Sequence, residues 1–450
     1  MKEYTQLQGK SVLVVGLAKS GMAAVHALRK LGAIVTVNDQ LPYKDNQDAQ
    51  TLYKQGIQVV CGSHPPELVG GMDVVVKNPG VPYTNPVIEA AMQRGLPIWT
   101  EIELAYLLSE APIIAITGSN GKTTTTTLIS KMLIASGIRA RTAGNIGNVA
   151  VEVAQQATAE DVLVMELSSF QLAGIESFTP QVSVLLNLYD AHLDYHGHRR
   201  DYFAAKAKLF QHGENQQAIF IQEAAVETLR AYDLLTISDF ESFTSIGLSE
   251  NGTGIDNGAL YVKHQQVMKL EEIVLPGEHN HENIVAAVNA ASIFGATTVG
   301  IRQVLTTFEG VSHRLQFVRS LHGRLFYNDS KATNTLATIT ALKAFKAPVI
   351  LIAGGLDRGQ GFDDLKGQMK NVKAMVVFGE TKEKLTTFGE SEGIDQMKAV
   401  DNVEEAVQTA YTLSASGDVV LLSPACASWD QFRTFEERGD MFIQSVHTLN

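Results

Sequence analysis

The chain has 450 residues, 45% of them hydrophobic, with two cysteines and a formal net charge of −12. That length predicts about three domains, and the acidic balance, with no basic cluster longer than the pair Arg199 and Arg200, argues against a nucleic-acid groove. No run approaches the roughly 18 apolar residues of a membrane helix, residues 1–10 carry no apolar signal region, and Cys61 and Cys426 cannot form a disulfide framework, so a cytosolic protein without a membrane partner is expected; a monomer is expected as well, though none of these features sets it.

The first hundred residues open with a predicted strand over 11–15, then the turn Gly16, Leu17, Ala18, Lys19, Ser20, Gly21, a helix over 22–31 and a second strand over 34–37 that runs into Asp39. This is a βαβ unit of Rossmann type with Ala18 where the middle glycine of G-x-G-x-x-G belongs. That glycine allows a pyrophosphate to approach the backbone, so the turn is suited to a single diphosphate on the helix N-terminus, or to no ligand at all. Asp39 stands where an acidic residue meets a ribose or base. A strand over 73–77 follows, with a rigid loop from Asn78 through Gly80 to Pro82 beyond it.

The segment 113–124, I-I-A-I-T-G-S-N-G-K-T-T, is the most informative in the chain. An apolar strand ends in a loop of Gly118, Ser119, Asn120 and Gly121, followed by Lys122, Thr123, Thr124 and a helix to about 136. Backbone N–H groups freed by the glycines and the positive end of the helix form a phosphate cradle. Lys122 reaches the β- and γ-phosphates, and the Thr123 hydroxyl can ligate Mg²⁺. The spacing departs from G-x-x-x-x-G-K-[ST], because the first glycine of that pattern would fall on Ile116. A second buried strand over 161–166 closes on Glu166, and a third spans 182–188. A carboxylate at a strand tip beside a phosphate loop is where a Mg²⁺ ligand is expected. The threonine run 123–127 reads as the first turn of the helix.

In the last segment, from about residue 310, strands are predicted over 324–327, 349–353, 374–378 and 419–422. Each ends in a polar or glycine-rich loop: 328–331, 354–359, 379–380 and 423–425. Ligands of open parallel sheets bind beyond the carboxyl ends of the strands, so the succession of loops marks a binding edge.

Taken in order, G-S-N-G-K-T-T (118–124), G-N-I-G (144–147), M-E-L-S-S-F-Q-L (165–172), H-L-D-Y-H (192–196), H-N-H-E-N (279–283), S-H-R (312–314), N-D-S-K-A-T-N (328–334) and L-L-S-P-A-C-A-S-W-D-Q-F (421–432) resemble the Mur ligase family over nearly the whole chain. The resemblance implies an α/β protein of three domains: a Rossmann-like UDP-substrate domain (1–103), a central phosphate-loop ATPase-type domain with a mostly parallel sheet (104–309), and a Rossmann-like amino-acid domain (310–450). It implies ATP-dependent amide synthesis in peptidoglycan precursor formation. The terminal carboxylate of UDP-N-acetylmuramoyl-L-alanine is phosphorylated, and the amine of D-glutamate attacks the acyl phosphate.

Carried over by motif, Lys122 and the loop hold the phosphates, Thr123 and Glu166 hold one Mg²⁺, and His192 with a carbamylated Lys206 supports a second. Asn280 and Asn283 meet the adenine side, and Arg314, Asp329 and Lys331 meet ATP from the third domain. Leu17, Ala18, Asp39, Gly80, Asn145, Ser168 and Gln171 fall on the UDP-substrate side, and Thr333, Arg358, Ser428 and Phe435 on D-glutamate. Several residues keep plainer readings. Lys208 is the rival of Lys206, Cys426 reads as a buried structural thiol, and Asp357 with Arg358 could form a turn ion pair. His192, His196 and His198 lack a further ligand at metal-site spacing, which argues against zinc. Among other activities, sibling ligases and a folate-type ligase stand nearest; a GTPase lacks its N-K-x-D motif, and a dehydrogenase is weakened by Ala18 and the second nucleotide loop.

Overall fold

Alternating apolar strands and amphipathic helices predict parallel sheets covered on both faces, and the computed structural model has them. It describes every residue except 1, 3, 147, 190, 276, 278 and 360, together with all side chains but those of 193, 194 and 279. Gly147 of the G-N-I-G segment and two side chains of H-L-D-Y-H therefore lie outside the described residues. The described residues form two units: Met1–Val274 with His279–Thr307, and Leu275–Glu278 with Phe308–Asn450.

The first unit holds two parallel sheets. One has five strands in the order Gln58–Cys61, Ile34–Asp39, Ser11–Val15, Val74–Lys77, Ile98–Trp99. The other has six, in the order Glu241–Phe243, Ala218–Gln222, Val182–Leu185, Ile113–Thr117, Asp161–Glu166, Arg139–Gly144. One apolar core runs between them. Val12 and Val14 under the first sheet connect through Ile102, Leu104 and Leu108 of helix Glu101–Leu108, and through Val151 and Ala154, to Ala115 and Leu163 under the second. The Ile113–Thr117 strand lies between strands that come later in the chain, so the crevice opens at its carboxyl end, where the phosphate loop leaves.

A four-stranded antiparallel sheet over Gly247–Leu248, Gly254–Asp256, Ala259–Val262 and Gln265–Lys269 was not expected from the sequence. Its strands are two to five residues long and rich in glycine and polar residues, too short to display a period.

In the second unit the sheet order is Gln316–Leu321, Arg324–Asn328, Val419–Leu422, Val349–Gly354, Val372–Phe378, Gln396–Ala399. Only the first pair is antiparallel. Separate apolar clusters cover its two faces. The threonine run lies wholly in helix Lys122–Ala135. The strand expected over 182–188 ends at Leu185, because Leu186 and Ser119 exchange backbone bonds with the phosphate-loop side instead: Leu186 N–H donates to Thr117 O and Ser119 N–H to Asn187 O.

Candidate active site

At the end of the Ile113–Thr117 strand the chain must turn against its neighbours at very close range. A Cβ on Gly118 (φ 154°) would stand 2.9 Å from Leu186 Cβ, and one on Gly121 (φ 80°) would stand 2.1 Å from Asn283 Oδ1. Both positions exclude side chains, which is why glycine is placed there. Asn187 grips the loop between them, accepting from Asn120 N–H at 2.8 Å and donating to Asn120 O at 3.2 Å. Ser119 Oγ is bonded to Tyr202 Oη at 3.0 Å. Lys122 folds back over this loop, its Nζ donating to Gly118 O (2.8 Å) and Ser119 O (3.0 Å).

Glu166 ends its strand beside the helix that starts at Lys122 and is buried. Its Oε2 accepts from Thr123 Oγ1 at 2.8 Å and its Oε1 from Asn145 Nδ2 at 2.7 Å. Asn145 is brought there by Gly144, whose missing side chain lets the turn close over Glu166 O; a Cβ would come within 2.4 Å of it. A carboxylate held through these neutral donors, beside a hydroxyl, is an oxygen donor set of the hard kind that Mg²⁺ takes.

Lys206 is fully buried, its Nζ donating to Gly118 O (2.9 Å) and Thr117 Oγ1 (3.4 Å) and lying 4.9 Å from the centre of the Tyr202 ring. Burial above all, and then the Lys122 ammonium, push its pKa well below the usual lysine value, with Glu166 opposing them. Lys208 points elsewhere, to Ala173 O. His192 is exposed at φ 55° and packs edge-on against Phe170 at 4.9 Å. Lys122, Thr123, Asn145, Glu166 and Lys206 thus converge on the phosphate loop.

Other expected residues have structural engagements. Asn283 donates to Asn280 Oδ1 at 2.9 Å and its own Oδ1 accepts from Thr125 Oγ1 at 3.4 Å, so it braces the loop from behind Gly121. Ser168 and Gln171 cap one another at the start of helix Ser169–Leu172, and Gln171 Nε2 donates to Glu101 Oε1. In the first sheet, Asp39 accepts from Leu17 N–H at 2.7 Å and Leu41 N–H at 2.8 Å. Ala18 is the N-cap of helix Lys19–Lys30, and Gly80 N–H donates to Asn78 Oδ1.

The second unit gathers its candidates at the carboxyl edge of its sheet. Asp329 is buried, accepting from Ser423 Oγ (2.9 Å) and Leu315 N–H (3.2 Å), and burial pushes it up to about 7 against the pull of Arg314. Lys331 Nζ lies 4.0 Å over the Phe435 ring, Thr333 N–H donates to Lys331 O, and Ser428 is buried. Among the described residues no ion pair joins Asp357 to Arg358: Asp357 bonds Lys384, and Arg358 stacks at 4.6 Å on Trp429. Cys426 is buried as expected, with Thr381 Oγ1 at 3.4 Å.

Three family models match in chain order: the Mur ligase MurD-like N-terminal domain over residues 10–100, the Mur ligase middle domain over 116–291, and the Mur ligase, glutamate ligase domain over 313–426. The chain is 54% identical over 451 residues to "UDP-N-acetylmuramoylalanine--D-glutamate ligase" of Geobacillus sp. (strain WCH70), with 100% of both chains covered. The chain belongs to the Mur ligase family. A Bacillus subtilis (strain 168) member of the same printed name is 51% identical over 445 residues, covering 98% of each chain. Among solved structures, the MurF ligase of Thermotoga maritima in complex with ADP aligns with a TM-score of 0.56 at 17% identity over 98% of this chain and 96% of that one. MurC of the same organism gives 0.55 at 18% identity, over 97% and 99%. At these identities the structures show that the fold is shared.

Sequence reasoning passed over several residues that organise the candidate sites of the two units of this Mur ligase. Asn187 and Tyr202 hold the phosphate loop, yet nothing in their local pattern sets them apart. Arg438 is fully buried in helix Phe435–Thr448 and donates to Ser330 Oγ, Ser330 O, Cys426 O and Gly354 O, tying three strand-end loops together. An arginine on a helix face of otherwise apolar residues was its only signal. Lys77, also buried, ended a strand without exciting attention.

Proposed function

We propose that this chain is the ATP-dependent ligase that joins D-glutamate to UDP-N-acetylmuramoyl-L-alanine in peptidoglycan precursor synthesis. The observation that carries the reading is the convergence of two lysines, a buried carboxylate and a threonine hydroxyl on one glycine loop, in a chain whose full-length relatives bear that activity's name. A carboxylate is a poor electrophile with a poor leaving group, and phosphorylation corrects both. Bringing it to a triphosphate sets anion against anion, which calls for preorganised cations.

Lys122 supplies one, releasing its two loop carbonyls to meet the β- and γ-phosphates. Thr123 and Glu166 are the residues that would hold Mg²⁺, and His192 with a carbamylated Lys206 would support another; the ion would neutralise phosphate charge as the phosphoryl group moves. Lys206 suits carbamylation because burial favours its neutral amine, the form that adds CO₂. Asp39, Leu17, Ala18 and Gly80 line the carboxyl edge of the first sheet and are assigned to the UDP-substrate, with Asn145, Ser168 and Gln171 at its alanine end. Asn280, Asn283, Arg314, Asp329 and Lys331 are assigned to ATP, and Thr333, Arg358, Ser428 and Phe435 to D-glutamate. The domain limits 1–103, 104–309 and 310–450 and a monomeric, cytoplasmic enzyme belong to the same proposal.

The test is ADP release by purified chain. Release that requires UDP-N-acetylmuramoyl-L-alanine and D-glutamate together supports the reading; a preference for L-alanine, a diamino acid or a dipeptide would move the chain to a sibling activity.

A further inference from the structure

Lys77 is the last residue of strand Val74–Lys77, and its side chain is 1% exposed. Its Nζ donates to the carbonyls of Val81 (2.9 Å), Pro79 (3.2 Å) and Asn78 (3.4 Å), all in the loop that the strand feeds. A further bond crosses 118 residues to Tyr195 Oη at 3.0 Å. Tyr195 in turn donates to Pro79 O (3.2 Å) or Val81 O (3.1 Å). The ammonium also lies 4.9 Å from the Tyr83 ring centre and 5.8 Å from that of Tyr195. Such a buried lysine is costly unless its donors are used, and burial pushes it down to about 7.

Tyr195 belongs to helix Leu193–His196, directly after His192 in the second sheet's crevice. Its ring packs edge-on against Phe170 at 4.5 Å, and Phe170 touches His192 at 4.9 Å. The loop on the other side of the clamp shapes the first sheet's binding edge. Asn78 bonds Ser20 Oγ, and Asn78 and Val81 crowd Gly16 so closely that a Cβ there would meet Asn78 Cβ at 2.9 Å. One ammonium therefore joins the edge assigned to the UDP-substrate to the segment that carries His192.

We propose that Lys77, acting with Tyr195, is a positioning residue that fixes the 78–82 loop against the His192 segment, so that a UDP-substrate seated on the first sheet's edge presents its far carboxylate to the phosphate loop. The inference rests on the ligase reading and deepens it, since neither residue need touch the reacting atoms.

The test compares full-length wild type, Lys77→Met, Tyr195→Phe and the double variant. Lys77→Met keeps the stem and removes the donors; Tyr195→Phe keeps the ring stacking and removes only the hydroxyl, so it stands in if the first variant fails to fold. The expected result is a rise of roughly tenfold or more in the KM for UDP-N-acetylmuramoyl-L-alanine in Lys77→Met, a smaller one in Tyr195→Phe, and an unchanged KM for ATP. The double variant should depart from the product of the single effects, because both groups act on the same carbonyls. A folded variant with wild-type KM for the UDP-substrate, equal rises for ATP, or strictly multiplicative effects would overturn the clamp. A wild type that turns nothing over would bring down the ligase reading instead, which separates the two failures.

Discussion

The turn after strand Ser11–Val15 and the turn after strand Ile113–Thr117 both leave a parallel strand through a glycine at positive φ, Gly16 at 89° and Gly118 at 154°, and both enter a helix. They hold opposite charges. In the first, the Asp39 carboxylate takes the N–H of Leu17 and Leu41. In the second, the Lys122 ammonium takes the carbonyls of Gly118 and Ser119. A glycine turn is electrically undecided; the neighbour that reaches it chooses the ligand. The first turn would meet a diphosphate with its Leu17 amide already bound to the Asp39 carboxylate. The second, with a movable cation, suits a triphosphate.

The largest break in this comparison should come from the cation. Lys122→Ala is expected to lower kcat for ligation on the order of 10²–10³-fold, as loss of a preorganised charge does, while circular dichroism and thermal melting stay near wild type. A folded Lys122→Ala chain with near-normal turnover would remove the loop from phosphoryl transfer.

Lys206 should come next. Lys206→Ala is expected to slow acyl-phosphate formation by about 10²-fold, with the UDP-substrate KM little changed and activity partly restored by a small added carboxylate. Lys206→Arg should be no better, because guanidinium keeps its charge and cannot be carbamylated. Full activity of Lys206→Arg would sink the carbamate.

On the other side of the comparison, Asp39→Asn should raise the KM for the UDP-substrate roughly tenfold, the worth of a charged hydrogen bond, and leave the KM for ATP alone. Initial-rate kinetics with each substrate varied in turn decide it; parallel losses for ATP would mean that Asp39 acts through general stability.

The helix-side glycines sharpen the contrast through packing. A Cβ on Gly21 would lie 1.9 Å from Gly16 O, a backbone atom that cannot swing away, whereas one on Gly121 would meet the Asn283 side chain. Gly21→Ala should therefore destabilise the first unit by about 1–3 kcal/mol, as overpacking does, read as a lowered melting temperature.

The smallest expected effect concerns a carboxylate that, like Asp39, accepts from a backbone N–H but is buried. Asp329, at an ordinary 3.8 when unfolded and about 7 in the fold, retains a proton that the unfolded chain has lost between those values. Its contribution to stability therefore falls as pH rises from about 4 to 7, and the cost is complete above the folded value. Asp329→Asn should flatten that part of the melting-temperature profile by a few degrees. An unaltered profile would place the buried charge elsewhere.

Most of the strand–loop–helix order was legible because burial on both faces leaves continuous apolar runs, as at Ile113–Thr117 and Val419–Leu422. The central cluster was legible for a related reason: Glu166 ends a strand and Lys122 and Thr123 begin the helix that follows one, at the sheet edge where topology brings ligand groups together. The short antiparallel strands between 247 and 269 were not, since two to five residues cannot display a period.

By itself, then, the amino-acid order determined the alternation of elements, the phosphate loop and the family-bearing motifs, all of which depend on neighbours a few residues apart. Only the tertiary structure decided that Asn283 braces Gly121, that Arg358 lies on Trp429 rather than pairing with Asp357, and that Lys77 reaches Tyr195. Burial turns a side chain's few donors into strict requirements. Beside nearer carbonyls, each takes a partner from far along the chain, 118 residues away for Lys77 and 108 for Arg438, distances at which local pattern carries no information.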